Sequence, residues 1–289
     1  DFGFKQQTRT GIVELVKRSI TGILYVAAII AGIILGGEWM YWLFAICTVV
    51  TTIEFVSLIN RYKESNASYI CAAILSYFFY SGITGCLTGF SHTSTDNLLK
   101  LFIPFIVFLV LTIIRELYQL NRHHILNLSI TIFPVIYIAM PFGLLNGMGY
   151  IMPSDVSVWL LPLSFFIFIW TNDVGAYCVG CTIGKHRLFE RISPKKSWEG
   201  SIGGAIFTII AAVAVWHFYP IFDVWIWIGM AITIVIFGTY GDLAESLLKR
   251  ELGVKDSGNI LPGHGGFLDR FDSTLLAAPM AFAYIYFLS

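Results

Sequence analysis

The residues best suited to chemistry lie in one polar stretch, Ser246 to Ser273, set between two long apolar runs of a 289-residue chain. Asp242, Glu245, Ser246 and Lys249 recur at i, i+3, i+4 and i+7, which predicts one helix face carrying acids, a hydroxyl and an ammonium together. Leu261-Pro262-Gly263-His264-Gly265-Gly266 then breaks that helix, and its glycines free backbone N–H groups to turn toward an anion. Asp269 and Asp272 follow one helical turn apart, with Arg270 between them. Carboxylates this close repel one another unless a cation neutralises them, and hard oxygens suit Mg²⁺. Acids for metals, with bases and bare N–H groups for phosphates, read as a metal–nucleotide site. A solvated loop between membrane helices needs neither the His-Gly-Gly turn nor a regular acid spacing.

A second polar group precedes this one. Asp173 falls late in an apolar run, in Thr171-Asn172-Asp173-Val174-Gly175-Ala176-Tyr177, beside small residues that allow close packing. It either bonds a neighbouring helix's backbone or faces a polar cavity; the cavity is the expectation. Further on, Ser193 and Pro194 read as the cap and first residue of a new helix. Its free N–H groups, with Lys195, Lys196 and Ser197 beside them, outline a phosphate site.

These residues resemble the signature of the phosphatidate cytidylyltransferases, the CDP-diacylglycerol synthases. Ser246, Lys249, Arg250, Lys255, Asp256, Pro262, His264, Gly265, Gly266, Asp269, Arg270 and Asp272 fill S-x-x-K-R-x-x-x-x-K-D…P-G-H-G-G-x-x-D-R-x-D without a gap. Asp173, Ala176, Tyr177, Gly184, Lys185, Ser193, Pro194, Lys196, Ser197 and Gly200 match the family's D-x-x-A-Y…G-K…S-P-x-K-[ST]-x-x-G pattern upstream. The first 150 residues match only in being spans.

The resemblance implies that CTP and phosphatidic acid give CDP-diacylglycerol and pyrophosphate. A phosphate monoester is already anionic near neutral pH, so no Ser or Cys nucleophile and no strong base are needed. The requirement is to screen two polyanions, position them and stabilise the leaving pyrophosphate. Two metal ions on shared carboxylates would serve both ends of an in-line displacement. Asp269, Asp272 and Asp242 are the expected metal-binding acids, with Glu245 behind them and Lys249 among the catalytic residues. The expected cofactor is Mg²⁺ at a two-cation site, with Mn²⁺ able to substitute and the second cation unidentified. Lys195, Lys196, Arg250, Lys255 and Arg270 offer charge-assisted bonds to phosphates, as does Lys249. Ser193, Ser197, Ser246, Gly265, Gly266 and Asp173 complete the expected substrate contacts. His264 either donates to a phosphate or shapes the turn. Expected partners are CTP, phosphatidic acid and membrane lipids, with a homodimer as an option and no nucleic acid.

The elements that must position these residues are membrane helices. Hydrophobic residues make up 57% of the chain and charged residues 12%, against about 25% charged in a soluble domain. Spans of about 20 apolar residues are expected near 19–37, 39–59, 68–90, 98–120, 125–149, 156–183, 201–220, 221–247 and 273–289. The first two are joined by a tight Gly36-Gly37-Glu38 turn. An all-α polytopic protein of about nine spans is therefore expected. Residues 1–18 form an interfacial helix or tail, 19–150 hold spans one to five, and 151–289 form the catalytic region with two polar loops. On that path seventeen of the eighteen Lys and Arg residues fall on one side and only Lys100 on the other. This places the N-terminus and both loops in the cytoplasm and the C-terminus outside, in a bacterial inner membrane. Lys17 and Arg18 before an apolar run resemble a signal peptide, but the run flows into a second span, so an uncleaved first helix is expected.

Other function classes fit less well. Net charge is zero, so there is no basic excess for nucleic acid. Cys178 and Cys181 form one C-x-x-C inside a helix-like run and read as packed, reduced thiols rather than a zinc site. No G-x-x-x-x-G-K-[ST] occurs, which excludes a P-loop ATPase. A CTP-dependent polyprenol kinase would not be expected to carry the full His-Gly-Gly and Asp-Arg run. A transporter using Asp173 and Glu54 should show repeat symmetry, and none is found. Glu54, the acid within the second span, is expected to snorkel to the interface or pair with Arg61.

Overall fold

The computed structural model describes residues 20–62, 65–88, 100–120, 123–152, 155–258, 260 and 265–288. The helix or tail expected over 1–18, and His264 with its Pro262-Gly263 turn, lie outside them. Helix α1 spans Ile20–Leu35 and α2 spans Gly37–Tyr62. Gly36 and Gly37, at φ 63° and 48°, reverse the chain between them in the left-handed region that side chains avoid. Then come α3 (Tyr69–Thr88) and α4 (Ile103–Leu117). The next apolar segment, His124–Tyr150, is one broken rod. It comprises α5 (His124–Pro134), a π turn (Val135–Ala139), α6 (Met140–Gly147) and a last 3-10 turn. Pro134 and Pro141 remove two helical donors, and the π turn between them re-seats the ladder.

Helix α7 (Leu160–Ile183) leads into a small antiparallel hairpin, β1 (Arg187–Phe189) and β2 (Ser193–Ser197). Helices α8 (Trp198–Phe218), α9 (Val224–Glu251) and α10 (Leu268–Leu288) complete the chain. Seven of the described segments are long and apolar enough to cross a bilayer. In lipid every backbone polar group must be satisfied internally, which these helices do, so the protein is an all-α polytopic membrane protein. The other two expected spans coincide with α1 and α4, which are shorter.

Packing joins the two halves chiefly where α10 lies against α6. Helix α7 packs chiefly on α8, and α9 on α10. The α7–α8 approach is close enough that a Cβ on Gly200 would stand 2.9 Å from the Ala176 carbonyl, as expected where small residues let helices meet. Phe44 of α2, Phe142 of α6, Phe166 of α7 and Phe271 of α10 are fully buried together, with ring centroids 5.0 Å apart for Phe142 and Phe271. Phe271 sits between Arg270 and Asp272, so this aromatic cluster seats the acidic turn of α10. Cys178 and Cys181 differ from expectation: they are free but exposed on α7 rather than packed. At i and i+3 they share the helix face that no other described element covers.

Candidate active site

The first set of functional groups stands where β2 turns into α8. Ser193 does not cap this helix as its pairing with Pro194 suggests; it opens β2, opposite Phe189. Two start signals compete here, and the hairpin satisfies the backbone of 193–197 as strand. The cap passes to Ser197, which is extended (φ −123°, ψ 154°) and accepts the Gly200 N–H on its Oγ at 3.1 Å. The Trp198 N–H is taken by the His186 carbonyl at 2.9 Å, and the positive end of α8 stands directly behind Lys195 and Lys196. Glu199 holds the turn before the hairpin, accepting from the Lys185 and His186 N–H groups at 3.1 and 3.2 Å.

Helix α9 carries the expected ladder on one face. Asp242 meets the Lys196 ammonium at 2.5 Å and accepts from the Ser246 hydroxyl at 3.2 Å. Two turns on, Lys249 lies between two carboxylates, 2.5 Å from Glu245 Oε2 and 2.9 Å from Asp269 Oδ1. The helix ends at Gly253 (φ 69°), where the Gly253 N–H reaches the Arg250 carbonyl and the Val254 N–H the Lys249 carbonyl. Arg250 turns back toward the hairpin, its Nε 3.4 Å from the Ile192 carbonyl.

The third set opens α10. Gly265 adopts φ 82°, which lets the Gly266 N–H point back at Asp269 Oδ2, at 2.8 Å. The same oxygen takes the Ser257 N–H at 3.1 Å. Asp269 thus gathers the loop around itself. One turn later Asp272 accepts the Ser273 N–H at 2.6 Å.

Two cavities meet at these groups. One, about 310 Å³, is bordered by Asp173 of α7, Lys195, Lys196 and Ser197, Asp242, and Ser273. The other, about 320 Å³, is bordered by Tyr25 of α1, Phe166 and Trp170 of α7, Asp269, Arg270 and Asp272. Asp173 and Ser273 line both. The structure thereby brings together Asp173, Lys195, Lys196, Ser197, Asp242, Asp269, Arg270 and Asp272. Lys249, Ser246, Gly265 and Gly266 stand behind them; Arg250 and Ser193 belong to the hairpin side. Lys255 is exposed beyond α9 and lines neither cavity.

The donors fit a hard divalent cation in kind. Asp242 and Asp269 each already face a positive charge, in the form of the Lys196 and Lys249 ammonium groups. Among the described residues no three His, Cys, Asp or Glu side chains are grouped closely enough to hold a metal unaided. Mg²⁺ is commonly held by one or two carboxylates together with substrate phosphates and water, and that is the arrangement these acids permit.

Two contributors carry no motif. The Tyr25 hydroxyl donates to the Arg270 carbonyl at 3.4 Å and its ring edge meets Phe271, yet nothing in α1 marks it. Glu54 neither snorkels nor turns to Arg61: it is buried and accepts the Leu268 N–H at 2.6 Å. Its one signal is being an acid inside an apolar run.

Residues 16–288 match the model of the Cytidylyltransferase family. A phosphatidate cytidylyltransferase of Staphylococcus aureus (strain COL) is 39% identical over 166 residues. That of Staphylococcus haemolyticus (strain JCSC1435) is 42% identical over 162 residues, and that of Staphylococcus epidermidis (strain ATCC 35984) 37% over 166. Each match covers 55% of this chain and 60% of the relative.

Proposed function

This chain belongs to the cytidylyltransferase family, and on that premise we propose that it transfers CMP from CTP to phosphatidic acid, giving CDP-diacylglycerol and pyrophosphate. The observation that carries the reading is the meeting of two cavities at Asp173 and Ser273, one walled by lysines and a helix start, the other by Arg270 and aromatic rings. The first suits a nucleotide triphosphate and the second a lipid phosphate whose chains stay in the bilayer. An oxygen of the lipid phosphate bonds to the α-phosphorus of CTP. The bond from that phosphorus to the β-bridging oxygen breaks, and pyrophosphate leaves with the electron pair.

Lys195, Lys196 and the N-terminus of α8 hold the triphosphate and take up charge on the departing pyrophosphate. Arg270 holds the incoming monoester. Lys249 and Ser246 keep Asp269 and Asp242 aimed. Asp242, Asp269 and Asp272, with Asp173 beside them, would hold Mg²⁺, with Mn²⁺ able to replace it; such an ion lowers the repulsion between two polyanions. The nine-span path with both polar loops in the cytoplasm of a bacterial inner membrane is part of this proposal; the charge asymmetry along that path supports it, and it would put the site on the side where CTP is.

The test is positional labelling with purified protein, phosphatidic acid and Mg²⁺. Label from the α-phosphate should enter the lipid, label from the γ-phosphate should appear in pyrophosphate, and EDTA should stop both. Label from the γ-position in lipid would make the protein a CTP-dependent kinase instead.

A further inference from the structure

Glu54 is 5% exposed in the last third of the membrane-spanning α2, where an acid is costly to bury and is placed for a reason. We infer that it is a positioning residue, which fixes the start of α10 and through it the aim of Asp269 and Asp272. Its Oε2 accepts the N–H of Leu268, the first residue of α10, across 214 positions of sequence. That N–H is one of the four at a helix start that the helix itself cannot satisfy. A side chain of the loop could have capped it, as Ser197 caps α8; here the acceptor comes from the other half of the chain.

The second oxygen strengthens the case. Glu54 Oε1 and the Ser257 hydroxyl are both buried and adjoin each other. A Cβ on Gly266 would stand 2.6 Å from Oε1, so the glycine is needed for the backbone to pass over the carboxylate. The N–H groups of Gly266 and Ser257 both turn the other way, onto Asp269. Ser257 and Gly266 thus make a strip of backbone held between two carboxylates, Glu54 beneath and Asp269 above. Asp269 and Asp272 follow Leu268 by one and four residues, so any shift at the cap displaces both acids. Lys195, Lys196 and Ser197 border the cavity from the β2–α8 junction and are not tied to this strip.

The kinetic readout rests on the proposed transfer, but a second readout does not. The experiment compares wild type with Glu54→Leu, Glu54→Gln and Glu54→Asp, purified in detergent. It follows amide hydrogen exchange over residues 257–258 and 265–269 and steady-state kinetics with CTP and phosphatidic acid. Glu54→Leu should speed exchange over 257–258 and 265–269 roughly tenfold or more, with the rest of the helices unchanged. It should lower kcat by about 10²-fold, the scale of an ångström-sized misplacement, with KM for CTP held within about twofold. Glu54→Gln keeps an acceptor for Leu268 and adds a donor for Ser257, so it should recover both readouts to within about threefold of wild type. Wild-type exchange over 257–258 and 265–269 in a folded Glu54→Leu protein overturns the inference, as does a Gln variant as impaired as Leu. Should the Leu variant fail to fold, Glu54→Asp, with its carboxylate withdrawn by one methylene, decides on the same two readouts. Absence of transfer by the wild type would remove the proposed function and leave the exchange result to stand by itself.

Discussion

The two polar regions around the paired cavities are built in opposite ways. At the β2–α8 junction the side chains reach outward: Lys196 crosses to Asp242 on another helix, Lys195 lies exposed at the cavity rim, and only Ser197 turns back to cap its own helix. At the α9–α10 junction the side chains turn inward. Asp269 takes Lys249, Ser257 and Gly266, Lys249 also holds Glu245, and Glu54 closes the far side. A region whose cations stay near water can exchange partners with a ligand, whereas one whose charges are buried and paired holds its geometry. The first is suited to binding and the second to aiming.

Substitutions at the acids should break this contrast open most widely. Asp269→Asn and Asp272→Asn should each lower kcat by roughly 10²–10³-fold in the CTP–lipid transfer assay. Thermal melting should then part them: Asp269→Asn loses about 1–3 kcal/mol, because Lys249 and two N–H groups lose a charged acceptor. Asp272→Asn should melt within about 0.5 kcal/mol of wild type. Equal melting losses would mean that both acids are structural.

The lysines sharpen the same distinction at a smaller scale. Lys196→Ala removes a cation at the cavity and should raise KM for CTP roughly tenfold or more, with the lesser effect on kcat. Lys249→Met should do the reverse, leaving KM near wild type and lowering kcat. Similar KM changes in the two variants would erase the division between a binding and an aiming region.

The smallest effect concerns the cap. Ser197→Ala should cost about 1 kcal/mol in melting stability, while Ser193→Ala, at the start of a strand, should cost less than half of that. The opposite order would return the cap to Ser193.

Local periodicity made much of this legible beforehand. Asp242, Ser246 and Lys249 share a face of α9 because a helix repeats every 3.6 residues, and that holds whatever packs beside it. Asp269 and Asp272 are a turn apart for the same reason, and the apolar runs announce the spans because lipid admits little else. Where two local signals compete, periodicity has no vote. Ser193-Pro194 reads as a helix start, and the β1 strand overrode that signal by pairing with 193–197, which leaves the cap to Ser197.

Sequence alone determined that this is a membrane protein of apolar helices, and it singled out Asp173, Lys196, Asp242, Asp269 and Asp272 among the groups proposed to meet a nucleotide phosphate and a cation. Only the tertiary structure decided their partners: Lys196 with Asp242, Lys249 with Asp269, Tyr25 at the wall of the second cavity, and Glu54 under the start of α10. Within lipid, no hydrophobic force chooses which helix faces which. The choice falls to close packing at positions such as Gly200 and to scattered hydrogen bonds, and these are properties of two surfaces brought together rather than of either run of residues.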